Sequence, residues 1–203
     1  MEKKIKIAVF VSGSGTNLQS IIDRCADGTI PAQVELVVSS RADAYGLVRA
    51  AKAGIDGVVY RRQDFPDGNA ADLFLLNLLD EYHIDLIALA GYLKMISSAI
   101  IKSYRHRVVN IHPGLLPKYG GQGMYGEHVH QAVIAAKEKE SGVTVHFVDE
   151  IYDHGLVLAQ KKVPVLPEDS PETLARRVLE VEHTLYPEVL RSIAENILKE
   201  KTS

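Results

Sequence analysis

The segment RVVNIHPGLLPKY (107–119) places Asn110 and His112 at the end of an apolar run that is typical of a buried β-strand. Residues two positions apart in an extended chain point to the same side, so both side chains can face one site. Pro113 and Pro117 hold the residues before them extended, which helps to fix His112. An amide and an imidazolium are both donors, suited to a carbonyl oxygen that gains negative charge. The pair therefore predicts acyl transfer to an amine; the alternative is a polar pair that only caps a strand end.

A carboxylate near the imidazole would complete this arrangement, because it would stabilise the protonated ring and raise its pKa. By position, the best candidate is Asp153, which lies in the turn DEIYDHG (149–155) between two late strands. Aspartate in a turn before glycine is also a common structural choice, so the residue types leave both roles open.

A glycine-rich loop, VSGSGTNLQ (11–19), joins the first predicted strand to the first predicted helix. Free backbone N–H groups and the helix dipole favour an anion here, and Gly13 and Gly15 let the backbone approach a ligand. Thr16 and Asn17 add side-chain donors. The loop lacks both the Gly-Lys-Ser/Thr of a P-loop and the third glycine of a dinucleotide fingerprint. It therefore predicts a phosphate site, with a tight turn that binds nothing as the alternative.

These candidates need a scaffold, and short apolar runs alternate with helical patterns through most of the chain. The predicted elements are strands at 5–11, 34–40, 57–60, 84–90 and 107–111, and helices at 17–28, 43–53 and 70–82. The predicted helix at 70–82 has one apolar face, formed by Leu73, Leu76, Leu79 and Tyr82. The alternation implies right-handed crossovers and an open, mostly parallel, doubly wound α/β sheet.

The pattern changes in the C-terminal part of the chain. A helix is predicted at 127–139, followed by strands at 142–149 and 156–165 that a short turn would pair antiparallel. A long helix over 170–197 begins with Ser170 as its N-cap and a proline in the first turn. Because no linker, repeat or low-complexity tract interrupts the chain, we expect one domain over residues 1–203.

The composition excludes several classes of protein. The net charge of −3 argues against nucleic acid as the main ligand. One cysteine, Cys25, excludes an internal disulfide and suits a reducing cytoplasm, and its helical spacing with apolar neighbours predicts a core position. No signal-peptide pattern and no apolar stretch of membrane-spanning length is present in the sequence. We therefore expect a soluble, cytoplasmic protein without a membrane partner.

Three further histidines have weaker cases. His128 and His130 flank one residue at a helix start, a spacing found in metal sites. No third ligand lies at a recognisable interval, so no metal is expected. His146 shares a strand face with Thr144 and is interpreted as a hydrogen-bonded strand residue rather than a catalyst.

Taken together, the motifs resemble the glycinamide ribonucleotide transformylases, a group within the 10-formyltetrahydrofolate-dependent formyltransferase family, over nearly the whole chain. The similarity lies in SGSGTNLQSIID, AGYLKMIS, NIHPGLLPKY, GVTVHFVDEIYDHG and EHTLYPEVL. It implies a Rossmann-like formyltransferase fold and formyl transfer from 10-formyltetrahydrofolate to the amine of glycinamide ribonucleotide in purine (IMP) biosynthesis. The expected partners are these two small molecules, and the chain is expected to be a monomer or a homodimer.

Roles for individual residues follow from the resemblance, position by position. It implies that Asn110 and His112 stabilise the oxyanion, while Asp153 keeps His112 protonated and organises water. The residues matched to the acceptor substrate are Gly15, Thr16, Asn17 and Glu182. The residues matched to the folate pocket are Leu93, Lys94, Met95, Ile96, Asp149, Glu150, Ile151 and Tyr152. Residues 1–109 would form a phosphate-binding half and residues 110–203 a catalytic and folate-binding half.

Two departures from the family pattern leave questions open. The loop GGQGMYGEHVHQ is longer than is usual in bacterial members, and no arginine follows the third strand beyond Arg61 and Arg62. The partner of the folate glutamate tail is therefore unassigned, and the loop is compatible with either a mobile lid or a rigid wall.

Other functions remain as alternatives. Methionyl-tRNA formyltransferases share the Asn–His–Asp core but add an RNA-binding domain, and formyltetrahydrofolate hydrolases add an N-terminal regulatory domain; neither addition is expected here. An amino-sugar formyltransferase would need a site for a nucleotide diphosphate. A nucleotide-binding module without catalysis would explain the glycine loop but not NIHP together with Asp153.

Overall fold

The computed structural model describes residues 4–202, in which seven strands form one sheet in the order β3-β2-β1-β4-β5-β6-β7. The strands are β1 (Ile5–Val11), β2 (Ala32–Ser39), β3 (Asp56–Val59), β4 (Leu86–Leu89), β5 (Val108–His112), β6 (Glu140–Phe147) and β7 (Val157–Pro164). The first five strands pair in parallel, whereas β6 runs antiparallel to both of its neighbours.

Six α-helices cover the two faces of this sheet in the described part of the chain. They are α1 (Thr16–Ala26), α2 (Tyr45–Lys52), α3 (Gly68–Glu81), α4 (Ser98–Ser103), α5 (Glu127–Ala135) and α6 (Pro171–Glu200). A short 3-10 helix lies at Arg62–Asp64. Helices α1, α2, α5 and α6 contribute to the core on one face, and α3 and α4 to the core on the other.

The central strands are apolar on both sides because both sides are covered by helices. In β1, Ile7 and Val9 contribute to the core with α1 and α6, while Ala8 and Phe10 contribute to the core with α3. All four side chains are fully buried. This arrangement confirms the doubly wound, mostly parallel sheet that was predicted from the alternating pattern.

Helix α6 is joined to the sheet through Tyr186, which is fully buried. Its hydroxyl lies 3.0 Å from the carbonyl oxygen of Leu89 and 2.9 Å from that of Val109, at the ends of β4 and β5. The helix begins with a capping box in which the Ser170 hydroxyl accepts from the Thr173 N–H. The predicted N-cap, first-turn proline and long C-terminal helix are thus confirmed.

Some details differ from the predictions. Of the predicted face of α3, Leu79 is buried and Leu76 and Tyr82 pack against the core. Leu73 is 60% exposed instead, and Ala71 and Leu75 complete the buried face. Helix α4 was not predicted at all. The strand β5 includes His112 as its last residue, whereas the predicted strand ended one residue earlier.

Cys25 is buried, as predicted. Within residues 4–202, no helix is both long enough and apolar enough to cross a membrane.

Candidate active site

Four polar side chains meet at the end of β5, where parallel strands of open α/β sheets present ligand sites. In the antiparallel pairing of β5 with β6, Asn110 faces His146 and His112 faces Thr144. The Asn110 Nδ2 lies 3.0 Å from His146 Nε2 and 3.4 Å from Asp153 Oδ1. The structure therefore brings together the three residues that were predicted to be catalytic.

Asp153 reaches this cluster from the segment that connects β6 to β7, where it adopts a left-handed conformation with φ 55°. Its Oδ2 accepts a hydrogen bond from the Gly121 N–H at 2.9 Å and lies 3.6 Å from His112 Nδ1. Its Oδ1 lies 3.6 Å from His146 Nε2. One carboxylate thus links the glycine-rich loop at 120–126 to both histidines.

His112 is 3% exposed and has an acceptor at each ring nitrogen. Its Nε2 donates to the carbonyl oxygen of Tyr119 at 2.9 Å, and its Nδ1 faces the Asp153 carboxylate. Only the protonated ring can pair with both acceptors at once.

Burial nevertheless lowers the pKa of His112, and the attraction of Asp153 and the Tyr119 carbonyl only partly offsets that effect. Asp153 does raise the pKa of His112, as expected from the sequence, but in the protein without ligands desolvation outweighs that effect and the net shift is downward. For Asp153, burial raises the pKa, but contacts with the two histidines and the Gly121 N–H outweigh it, and the pKa is lowered.

His146 is the residue of this cluster whose importance the sequence did not indicate. It is 2% exposed, and its Nδ1 donates to the carbonyl oxygen of Phe147 at 2.8 Å. In the neutral ring, Nε2 is then an acceptor for the Asn110 amide, so the contact fixes which way that amide points. The residue is hydrogen-bonded in a strand, as interpreted, but it also orients a predicted catalytic side chain. The signal that would have found it is the pairing of β6 against β5.

The cluster opens into a cavity of about 820 Å³, which is within the range of small-molecule sites. The segment from Gly13 to Asn17 lines one end of it, where α1 begins. Gly15 has φ 69°, and a Cβ atom there would lie 2.7 Å from the Cα of Gly46. The glycine at 15 is therefore required by the backbone and by the contact with α2, whereas a Cβ at Gly13 would meet nothing within 4 Å.

Asn17 and Glu182 meet at the same end of the cavity, although 165 positions separate them in the chain. The Asn17 amide donates to Glu182 Oε2 at 2.6 Å. Burial raises the pKa of Glu182 to about 7, and the hydrogen bond from Asn17 offsets part of that rise. Thr16 also lines the cavity. The four residues matched to the acceptor substrate are thus close together.

The cavity wall also includes parts of two segments, 93–96 and 149–152, that were matched to the folate pocket. Its lining includes seven of the eight residues matched to the folate pocket, namely Leu93, Lys94, Met95, Ile96, Asp149, Ile151 and Tyr152. Glu150 does not line the cavity. Met95 is 51% and Ile151 60% exposed, and such uncovered apolar side chains fit a flat aromatic ligand. Ile96 is buried against α3 and α4. The Leu93 N–H donates to the Ser12 hydroxyl at 2.9 Å, which ties this wall to β1.

Arg61 and Arg62 do not line this cavity. They line a second one, of about 800 Å³, on the other side of the segment 92–96. Arg61 pairs with Asp64, and Arg62 pairs with Asp72. Among residues 4–202, no three side chains of His, Cys, Asp or Glu are grouped so that they could hold a metal ion.

Comparison with known proteins gives one result throughout. A family model described as formyl transferase matches residues 5–190. The phosphoribosylglycinamide formyltransferase of Haemophilus influenzae is 44% identical over 97% of this chain and 90% of its own length. The chloroplastic phosphoribosylglycinamide formyltransferase of Arabidopsis thaliana is 42% identical over 97% of this chain and 68% of its own length. The crystal structure of glycinamide ribonucleotide transformylase 1 from Symbiobacterium toebii has a TM-score of 0.88 at 42% identity, covering 95% of this chain and 89% of that one.

The sheet order and the polar cluster at the end of β5 define an α/β enzyme of the formyl transferase class. At these identities and coverages, the chain belongs to the formyl transferase family and, within it, to the phosphoribosylglycinamide formyltransferases.

Proposed function

We propose that the protein transfers a formyl group from 10-formyltetrahydrofolate to the amine of glycinamide ribonucleotide, in de novo purine (IMP) biosynthesis. The single observation that carries the proposal is the cluster of Asn110, His112, His146 and Asp153, which lines the same cavity as the residues matched to both substrates. Family membership supports both substrates. The cytoplasmic location and the choice between monomer and homodimer stay predictions.

Two parts of the cavity lining suit the two substrates. The N–H groups at the start of α1, between Gly13 and Asn17, suit the phosphate of the acceptor, and Glu182 would contact the same substrate. Arg176 also lines the cavity, where its charge acts on Glu172. It makes no hydrogen bond or close ion pair with any described residue, so we expect its guanidinium to reach the phosphate. The apolar walls around Met95 and Ile151 would hold the pterin ring of the donor.

Asn110 donates a hydrogen bond to the formyl oxygen as that oxygen gains charge, and His146 keeps the amide in the donating orientation. His112 adds a second donor once the formyl oxygen replaces the Tyr119 carbonyl at its Nε2. The developing negative charge then favours the protonated ring, with Asp153 at its other nitrogen. As the amine bonds to the formyl carbon it loses one proton, which Asp153 takes up by way of water and passes on to N10 of the folate as the bond between N10 and the formyl carbon breaks.

The decisive experiment measures turnover of 10-formyltetrahydrofolate with and without glycinamide ribonucleotide, for the wild type, His112→Ala and His128→Ala. We expect turnover only when the acceptor is present, a loss of about 100- to 1000-fold in His112→Ala, and no loss in His128→Ala, whose exposed side chain contacts Tyr125. Turnover without any acceptor would identify a hydrolase. No turnover under either condition would overturn the proposal.

A further inference from the structure

His130 is a buried histidine that neither the fold nor the proposed function explains. It lies in the first turns of α5, and 4% of its surface is exposed. Neither ring nitrogen has a hydrogen-bond partner among residues 4–202. A buried polar atom without a partner costs about 1–3 kcal/mol, and native proteins contain few of them. A residue that bears this cost without a structural return is a candidate for ligand contact.

Its position places it beside the proposed chemistry. His130 lines the same cavity as Asn110 and His112. A Cβ atom on Gly114 would lie 3.1 Å both from His112 Nε2 and from a methyl group of Val129, the residue before His130. The first turn of α5 therefore lies close to the His112 ring, with only the position of Gly114 between them.

The two nitrogens of the ring differ in access. Nδ1 is enclosed, whereas Nε2 is not among the enclosed atoms, and the residue lines the cavity. Burial lowers the pKa of His130, and the nearby charge of His112 lowers it further, so the ring is neutral at pH 7. A neutral imidazole can accept a hydrogen bond from an amine or donate one to a carbonyl.

We propose that His130 binds the acceptor substrate, through a hydrogen bond between its Nε2 and the polar head that bears the attacking amine. A primary amine beside an amide offers both a donor and an acceptor to a neutral ring. The inference rests on the proposed function and adds to it a residue that holds the amine next to Asn110 and His112. The contact would give Nε2 a partner, whereas Nδ1 would stay enclosed without one.

The test is His130→Leu, because leucine fills similar space without a polar atom. We expect the KM for glycinamide ribonucleotide to rise about 10- to 100-fold, which corresponds to the loss of one buried hydrogen bond. The KM for 10-formyltetrahydrofolate should stay within twofold. The free energy of unfolding should stay equal or increase, because an unpaired buried nitrogen is removed.

A structural role for His130 predicts the opposite pattern. The variant would then lose stability while the KM for the acceptor stayed unchanged, and that result overturns the inference. His128→Leu is the matched control, since it lies on the same helix with its ring exposed and outside the cavity lining. It should leave both KM values unchanged.

Two amide variants show which ring nitrogen makes the contact. They also keep the inference testable if His130→Leu fails to fold. His130→Gln places a polar atom near the position of Nε2, and His130→Asn places one near Nδ1. Binding of glycinamide ribonucleotide, measured by calorimetry, should be restored more fully by glutamine than by asparagine. Equal weakening by leucine, glutamine and asparagine would contradict a hydrogen bond at Nε2. A wild type without formyl transfer would overturn the proposed function itself, and with it this inference.

Discussion

Two parts of one cavity differ in how far the protein satisfies its own polar groups. At the end of β5, Asn110, His112, His146 and Asp153 are one another's partners. Near the start of α1 and in α5, Asn17 Oδ1 and His130 Nδ1 are enclosed without any partner in the described chain. The proposed catalytic part is thus organised by the protein alone, whereas the proposed acceptor part contains polar atoms that the protein alone leaves unpaired. Electrostatic catalysis depends on the first property, and selective binding benefits from the second.

The largest expected effect comes from removing the charge at the centre of the organised part. Asp153→Asn should lower kcat by about 100- to 10 000-fold, because the neutral amide can neither stabilise protonated His112 nor accept a proton from the amine. Steady-state formyl transfer measures the loss. Asp64→Asn is the control, since Asp64 forms an exposed ion pair with Arg61 outside this cavity. A loss of less than tenfold in Asp153→Asn would show that the cluster is not organised around this carboxylate.

The burial of the Glu182 carboxylate has a cost that can be measured as a pH-dependent change in the free energy of unfolding. Its pKa is raised from 4.5 to about 7, so the folded protein binds this proton more tightly than the unfolded chain does. The contribution of Glu182 to the free energy of unfolding is therefore greatest below pH 4.5 and falls as the pH rises through 7. The difference amounts to roughly 3 kcal/mol.

Glu182→Gln removes this titration while keeping an acceptor for the Asn17 amide. We expect the variant to match the wild type near pH 4.5 and to be more stable by roughly 3 kcal/mol at pH 8.5, measured by urea unfolding. Parallel stability profiles for the two proteins would mean that burial of Glu182 carries no such cost.

Variants of His146 test whether activity depends on the orientation of the Asn110 amide. His146→Leu should lower kcat about 5- to 150-fold without changing the KM for the acceptor, because Asn110 loses the partner that fixes its amide, at about 1–3 kcal/mol. His146→Gln offers an amide oxygen near the same position and should recover part of the loss. Equal losses in both variants would assign His146 to packing alone.

The length and apolar pattern of each helix and strand decided whether it could be predicted from the sequence. Short apolar runs, alternation and helical periodicity identified every strand and five of the six helices, because these elements each contain enough apolar residues to be recognised. Helix α4 has six residues, too few to show one. In α3, apolar residues surround the axis, so the pattern that correctly placed Leu79 was as consistent with Leu73 on the buried face as with Leu75. Phe74 is also 41% exposed and stacks on Tyr60.

The site was predictable where local spacing decides geometry and not where pairing does. Asn110 and His112 share a strand face by parity, which the sequence contains. The contact between Asn110 and His146 depends on the register of β5 against β6, and the pKa of His112 depends on burial by distant segments. Asn17 and Glu182 were each matched to the acceptor by resemblance, but their hydrogen bond required the packing of α6 on α1.

The smallest expected effect concerns the exposed edge of the acceptor part. Arg176 lines the cavity without an ion pair, so Arg176→Gln should raise the KM for glycinamide ribonucleotide about 3- to 10-fold, the range of an exposed charge contact. The acceptor without its phosphate should show no difference between the variant and the wild type. Arg191→Gln, on the same helix but next to Glu195, is the control and should change neither KM. If Arg176→Gln weakens both forms of the acceptor equally, its charge does not act on the phosphate. The anion would then depend on the N–H groups of the loop from Gly13 to Asn17 alone.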